Sequence, residues 1–275
     1  FELSHSFEGL SEGVNALAIS PNGTNLLSGC NDGQLLLWNL LTGEKIQEVD
    51  CAFNGHISCS IWVDTGESFV FGCADGSIHL YKWSEAKGCF AYIVQEQTHS
   101  DAVQNIAYDT HHKRLASISK SSLQVWSVTD GKILKPLLSH PLLSDYQGRT
   151  VHFCDDGASL ISTYLESHQI ACHIVEPWTL KWIKQIPTCV GGSALSGQRL
   201  LVSNLFNGLD VYSLPTMQLE RTFTHMITVN VILQVVTTSS QEWIVVGGDD
   251  GFVRIFDIHS GNFIFSLLHD ECKSS

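Results

Sequence analysis

The chain is poor in positive charge. Its 275 residues carry 15 Lys+Arg against 28 Asp+Glu, a formal net charge of −13. That sign is opposite to the basic footprint that attracts phosphate backbones or anionic lipid, so broad nucleic-acid binding is disfavoured. No apolar run reaches the ~20 residues of a bilayer-spanning helix, and the opening FELSHSF lacks the basic-then-apolar layout of a signal peptide. We read an intracellular chain, cytoplasmic or nuclear, with no membrane partner. Its start at Phe1 rather than Met suggests a piece of a larger chain or complex.

Metal and catalytic motifs are also missing. The nine cysteines include no CxxC pair, and zinc sites usually need one. Most lie in or beside apolar alternating runs, where a free thiol acts as a small buried hydrophobe in a reducing compartment. There is no Gly-x-Ser-x-Gly elbow, phosphate loop or His-Glu-x-x-His. Gly191-Gly192-Ser193 precedes a strand rather than a helix. His111-His112 beside Asp109 reads as a solvated turn, because adjacent side chains in a hairpin point to opposite faces. Cys172-His173 fails as a ligand pair for the same reason and reads as core. Asn22-Gly23-Thr24 matches a glycosylation sequon but reads as a hairpin turn. Trp178 and Trp182 flank an outer strand and read mainly as packing residues. No catalytic residue, metal or cofactor is expected.

What is present is repetition. LLSGCNDGQLLLWNLLTGEKI, from Leu26, alternates, turns at Asn31-Asp32-Gly33, alternates again and turns at Thr42-Gly43. Similar stretches begin at Phe69, Leu115 and Trp243, with weaker ones at Leu160 and Leu200. A short strand is expected ahead of each, at Val14–Ile19, Ile57–Val63, Val103–Tyr108, Thr150–Cys154, Gly192–Leu195 and Val229–Val235. A spacing of roughly 40 residues fits four short strands per unit. Such a meander cannot hide both faces alone, so units must stack.

The third strand ends on an aromatic pair at Trp38-Asn39, Tyr81-Lys82, Trp126-Ser127, Tyr212-Ser213 and Phe256-Asp257. A Gly-His pair stands at Gly55-His56, with a His alone at His99, His225 and His140. Together these resemble the WD-repeat β-propeller family over essentially the whole chain. The resemblance implies an all-β fold: one domain, residues 1–275, of four-stranded antiparallel blades. Six repeats are recognisable, and Leu3–Gly9 matches an outer strand at the amino end. A seven-bladed ring truncated within its last blade is the preferred reading, and a six-bladed ring the alternative.

The resemblance also implies a structural network of Gly-His histidine, strand Ser/Thr, turn Asp and Trp, for which the chain offers Ser28, Asp32, Trp38, His56, Asp75, Tyr81, Trp126 and Asp250. Gly9 stands near the first histidine position, and Phe71 replaces the second serine. Partners in such proteins dock on the loop face. Position by position this gives Asn15, Ser58, Gln104, Arg149 and Asn230 at the inner strands, and Asn31, Ala74, Lys120, Glu166, Phe206 and Asp249 at the second turns. The mixture suits a protein or peptide surface. The expected function is a non-catalytic protein–protein interaction scaffold. The alternatives are a ligand-sensing propeller of a larger signalling ATPase, or a metal-dependent propeller enzyme. The enzyme would need a convergent ligand set, of which the inner strands supply only His152. A ubiquitin-ligase receptor would carry Trp-Asp-x-Arg, where this chain has Trp38-Asn39-Leu40-Leu41.

Overall fold

Period-two alternation broken by Asn-Gly and Asp-Gly turns makes each repeat an antiparallel meander. The computed structural model describes residues 5–129, 133–141, 146–229, 231–238 and 240–268. They form six four-stranded sheets, each with its strands in sequence order.

Blade 1 holds β1 to β4, Val14–Ile19, Asn25–Cys30, Gln34–Asn39 and Lys45–Asp50. Blade 2 holds β5 to β8, Ile57–Val63, Ser68–Cys73, Ser77–Ser84 and Cys89–Gln97. In blade 3, β9 to β12 are Val103–Asp109, Arg114–Ser119, Ser122–Thr129 and Ile133–Pro141. In blade 4, β13 to β16 are Gly148–Cys154, Ser159–Tyr164, Gln169–Ile174 and Thr179–Gln185. Blade 5 follows with β17 to β20, Gly192–Ser196, Arg199–Ser203, Gly208–Ser213 and Gln218–Thr224. Blade 6 is β21 to β24, Val235–Thr237, Trp243–Gly247, Phe252–Asp257 and Phe263–Leu268. The helical content of the described residues is one 3-10 turn, Ala52–Asn54.

The chain divides into two compact units, Phe1–Ile161 with Ile174–Thr179, and Ser162–His173 with Leu180–Ser275. In the first, β1 lies beside β5, β5 beside β9, and β9 beside β13. In the second, β17 lies beside β21.

Because side chains alternate across a strand, each central strand feeds the two interfaces on its two faces. In β6, Phe69 and Phe71 pack with Leu27, Leu35 and Leu37 of blade 1, while Val70 packs with Val103, Leu115 and Trp126 of blade 3. All six residues of β6 are therefore buried. A third cluster joins Ile118 and Val125 to Val151 and Leu160, with Trp178 packed against it. In the second unit, Leu201, Leu209 and Val211 meet Val235, Ile244, Val246 and Phe256. Each such Leu, Val or Phe contributes about 1.5–3 kcal/mol by leaving water.

The register between third and fourth strands shifts at the signature aromatic in five blades: before Trp38, Tyr81, Trp126, Tyr212 and Phe256. An extra residue in one strand of an antiparallel pair bends that strand. The extra residue stands on the fourth strand each time, so it is the outer strand that bends opposite the ring, while Trp38, Trp126, Tyr212 and Phe256 are buried.

One strand departs from the sequence reading. The sixth inner strand was expected over Val229–Val235, yet the ladder with β22 holds only Val235–Thr237. The N–H groups of Thr228 and Val229 donate instead to Asp249 Oδ2, each at 2.5 Å. Backbone donors held by a side chain are lost to a sheet. At the amino end, the described His5–Gly9 of the Leu3–Gly9 stretch lies along blade 1, outside its four strands. His5 Nε2 is 3.2 Å from the Leu41 carbonyl, and the Phe7 ring centroid is 5.3 Å from that of Trp38.

Candidate functional site

The inner-strand and second-turn positions gather at the same ends of their blades. In the first unit they hold one another. Asn15 Nδ2 donates to Asn31 Oδ1 at 2.6 Å. Ser58 Oγ donates to the carbonyls of Val103 (2.5 Å) and Gly72 (3.1 Å). Arg149 Nη1 donates to Gln104 Oε1 at 2.7 Å, and the neighbouring Asn105 accepts from Val151 N–H at 3.0 Å. Burial pushes the Arg149 guanidinium below its usual value. Arg149 and Ser58, two of the positions expected on the partner face, thus tie blade to blade. Ala74 is half-buried, and its N–H donates to the His56 carbonyl. Asn31 and Lys120 are the exposed members of this group.

In the second unit Glu166 and Phe206 are exposed and Asp249 is half-buried; Asn230 lies outside the described residues. Phe206 is 75% exposed, and its turn is rigid. Asn204, 1% exposed, accepts the N–H groups of Phe206, Asn207 and Gly208 on one carboxamide oxygen, each at 3.0 Å. An Asn that binds the backbone two to four residues on builds such a turn without a sheet partner.

The most exposed aromatic among the described residues escaped the sequence reading. Phe53, on the 3-10 turn before Gly55-His56, is fully exposed. Its neighbour Asn54 donates from Nδ2 to Asp75 Oδ2 at 2.7 Å, which pins the turn. The available signal was an aromatic in a short polar connection rather than in an alternating run.

Polar networks differ from blade to blade. In blade 1, Trp38 Nε1 donates to Ser28 Oγ at 2.8 Å, while Asp32 accepts from Ser11 Oγ at 2.9 Å and Gln34 N–H at 3.0 Å and from Cys30 Sγ. In blade 2 the histidine that takes part is His79, not His56. Ser77 Oγ donates to Asp75 Oδ1 at 2.6 Å and lies 3.0 Å from His79 Nε2. The His79 ring stacks on Phe71 at 4.8 Å, and Tyr81 stacks on Phe69 at 5.3 Å. Phe71 occupies the space where a serine would bridge, so the imidazole that reaches Ser77 comes from the strand itself. Blade 3 carries the histidine link. His99 Nε2 is 2.9 Å and Nδ1 2.5 Å from the hydroxyls of Ser117 and Ser122, and Trp126 Nε1 donates to Ser117 at 3.3 Å. Ser117 stands nearly as far before Trp126 as Ser28 before Trp38, a signal the sequence held. In blade 6, Asp250 pairs through both oxygens with Arg254. The side chain of His140 lies outside the described residues.

Asp109 belongs to an ion pair rather than to a loop alone. It accepts from Arg114 Nε and Nη2 at 3.2 and 3.0 Å and lies 2.8 Å from His112 Nδ1. Burial raises its pKa, but the bonds from Arg114 and His112 outweigh it and hold the carboxyl below the usual carboxylate range. Arg114 also donates to the Gly157 carbonyl of blade 4. Asn22 Oδ1 accepts from Ser20 Oγ, Thr24 N–H and Thr24 Oγ1 at 2.6, 3.2 and 2.8 Å, closing its hairpin. Among the described residues no three His, Cys, Asp or Glu side chains gather as metal ligands, and no helix is long and apolar enough to cross a membrane.

The model of the family "WD domain, G-beta repeat" matches residues 1–39 and 217–257. The chain is similar to intraflagellar transport protein 122 homolog of Xenopus tropicalis, 28% identical over 49% of this chain and 11% of that one. Protein ROOT INITIATION DEFECTIVE 3 of Arabidopsis thaliana is 27% identical over 46% of this chain and 31% of its own length. Ribosome biogenesis protein ERB1 of Ajellomyces capsulatus is 39% identical over 27% of this chain and 10% of its own. The chain thus spans a third or less of each of these relatives. With these repeat matches and six four-stranded antiparallel blades, the chain carries the repeat and the blade architecture of the WD-repeat β-propeller family, to which it is similar.

Proposed function

We propose that this protein is a non-catalytic scaffold that binds a protein or peptide partner through its loop face. The observation that carries the reading is Phe206, three-quarters exposed on a turn whose three successive N–H groups are held by Asn204. An aromatic anchor on a rigid turn is desolvated by a partner at little ordering cost, which is how interface hot spots work. Exposed Glu166, in the same unit, supplies a charge for orientation. The net charge of −13 argues against a nucleic-acid partner. The similar proteins carry names from ribosome biogenesis and intraflagellar transport; from them we take an intracellular, multiprotein setting.

The test is affinity capture with the tagged chain beside Phe206→Ser and Glu166→Lys variants of equal thermal stability. Partners that bind the parent and fall at least tenfold with either variant support the proposed face. Partners held equally by all three chains rule that face out.

A further inference from the structure

Two segments of the second unit meet at a pair of chemically active side chains. Cys189 Sγ lies 3.4 Å from His168 Nε2. The segments are clamped on both sides of that contact. Ile186 N–H donates to the His168 carbonyl at 2.8 Å, and Val190 N–H to the Leu165 carbonyl at 3.1 Å. His168 is held at φ 57°, a left-handed conformation that a non-glycine residue adopts at a cost and that clusters at functional sites.

The surroundings are polar and unsatisfied. Ser167 Oγ and Gln169 Oε1, on either side of His168, and Thr188 Oγ1, next to Cys189, are shielded from solvent with no hydrogen-bond partner. Buried polar atoms are normally paired, and several together mark a place where something else supplies the partner. Both Cys189 and His168 remain partly exposed. Five of the other thiols differ: Cys30, Cys51, Cys59, Cys73 and Cys172 are buried. Burial pushes the Cys59 thiol up to about 12 and that of Cys51 up to about 11. Thiols so placed are inert, whereas a partly exposed thiol beside an imidazole is a nucleophile.

We propose that Cys189 is a reactive thiol, with His168 as its base, that is modified by soft electrophiles of the α,β-unsaturated carbonyl class. The Sγ proton passes to His168 Nε2. The sulfur forms a bond to the β-carbon, and the C=C π pair moves to the enolate. The imidazolium then returns its proton to the α-carbon, so that nothing is oxidised and no group leaves. The Ser167 and Thr188 hydroxyls are the donors on these two segments that can serve the electrophile's carbonyl oxygen.

The probe is N-ethylmaleimide, used briefly on the native chain and read by peptide mass spectrometry. Cys89 and Cys154, which are also partly exposed, serve as internal references, and the buried Cys59 and Cys73 report folding. Cys189 is expected to label at least tenfold faster than either reference. His168→Asn, which tolerates the left-handed backbone but is no base, should bring Cys189 within about twofold of them and leave the references unchanged. Labelling of Cys189 at the reference rate in the parent chain overturns the proposal whatever the variant does. So does a fast rate that survives His168→Asn in a folded chain. If His168→Asn unfolds, exposing Cys59 and Cys73, His168→Gln takes its place under the same criteria.

Discussion

His99 Nε2 lies 2.9 Å from Ser117 Oγ, and both residues are buried. Burial lowers the His99 pKa from 6.5 to about 4, against a smaller opposing effect of Asp101. The folded chain therefore keeps this imidazole neutral where the unfolded chain protonates it. Stability is full above the unfolded value of 6.5 and falls as pH drops towards 4, by about 3 kcal/mol in all. Urea unfolding followed from pH 7.5 to 4 should show this slope, and His99→Gln should flatten it. Parallel slopes in parent and variant would remove His99 as the source.

Asp109 and Arg114 form a buried pair, with side chains 4% and 6% exposed. Removing one partner leaves a buried charge uncompensated, so Asp109→Ala should cost about 3–5 kcal/mol. The exposed Lys45–Glu48 pair at 2.8 Å is the control, since Glu48→Ala should cost about 1 kcal/mol or less. Chemical denaturation midpoints distinguish the two. Near-equal losses would show that Asp109 matters only as a turn acceptor.

Gly76 and Gly23 both have positive φ, +87° and +72°. A Cβ on Gly76 would sit 2.2 Å from the His99 carbonyl oxygen, while one on Gly23 meets nothing within 4 Å. Gly23→Ala should cost about 1–2 kcal/mol for the left-handed backbone alone. Gly76→Ala adds a backbone collision, so its melting temperature should fall well below that of Gly23→Ala. Similar melting temperatures would mean that the Gly76 turn relaxes freely.

Phe53 and Phe206 contribute little to the core, being fully and 75% exposed. Phe53→Ser and Phe206→Ser should each change unfolding free energy by no more than about 0.5 kcal/mol. A loss above about 2 kcal/mol in either would place that ring in the fold's own packing.

The blades were legible in the sequence because their signals are local. Alternation in Leu26–Trp38 and Phe69–Tyr81, with Asp32-Gly33 and Asp75-Gly76 between the strands, specifies hairpins through backbone sterics and side-chain period alone. Where a non-local bond competes, the reading slips: Val229 is apolar enough for a strand, but Asp249 holds its N–H.

By itself, then, the sequence determined the repeat, the four-stranded unit, the turns and the aromatic near the end of the third strand in five blades. Only the tertiary structure decided that His79 rather than His56 joins Asp75 through Ser77, that Arg149 is held by Gln104, that Phe206 stands in solvent and that Cys189 faces His168. The physical reason is range. Turn and strand preferences act over a few residues, whereas these relationships depend on which blade packs on which and on which polar group arrives first at a shared partner.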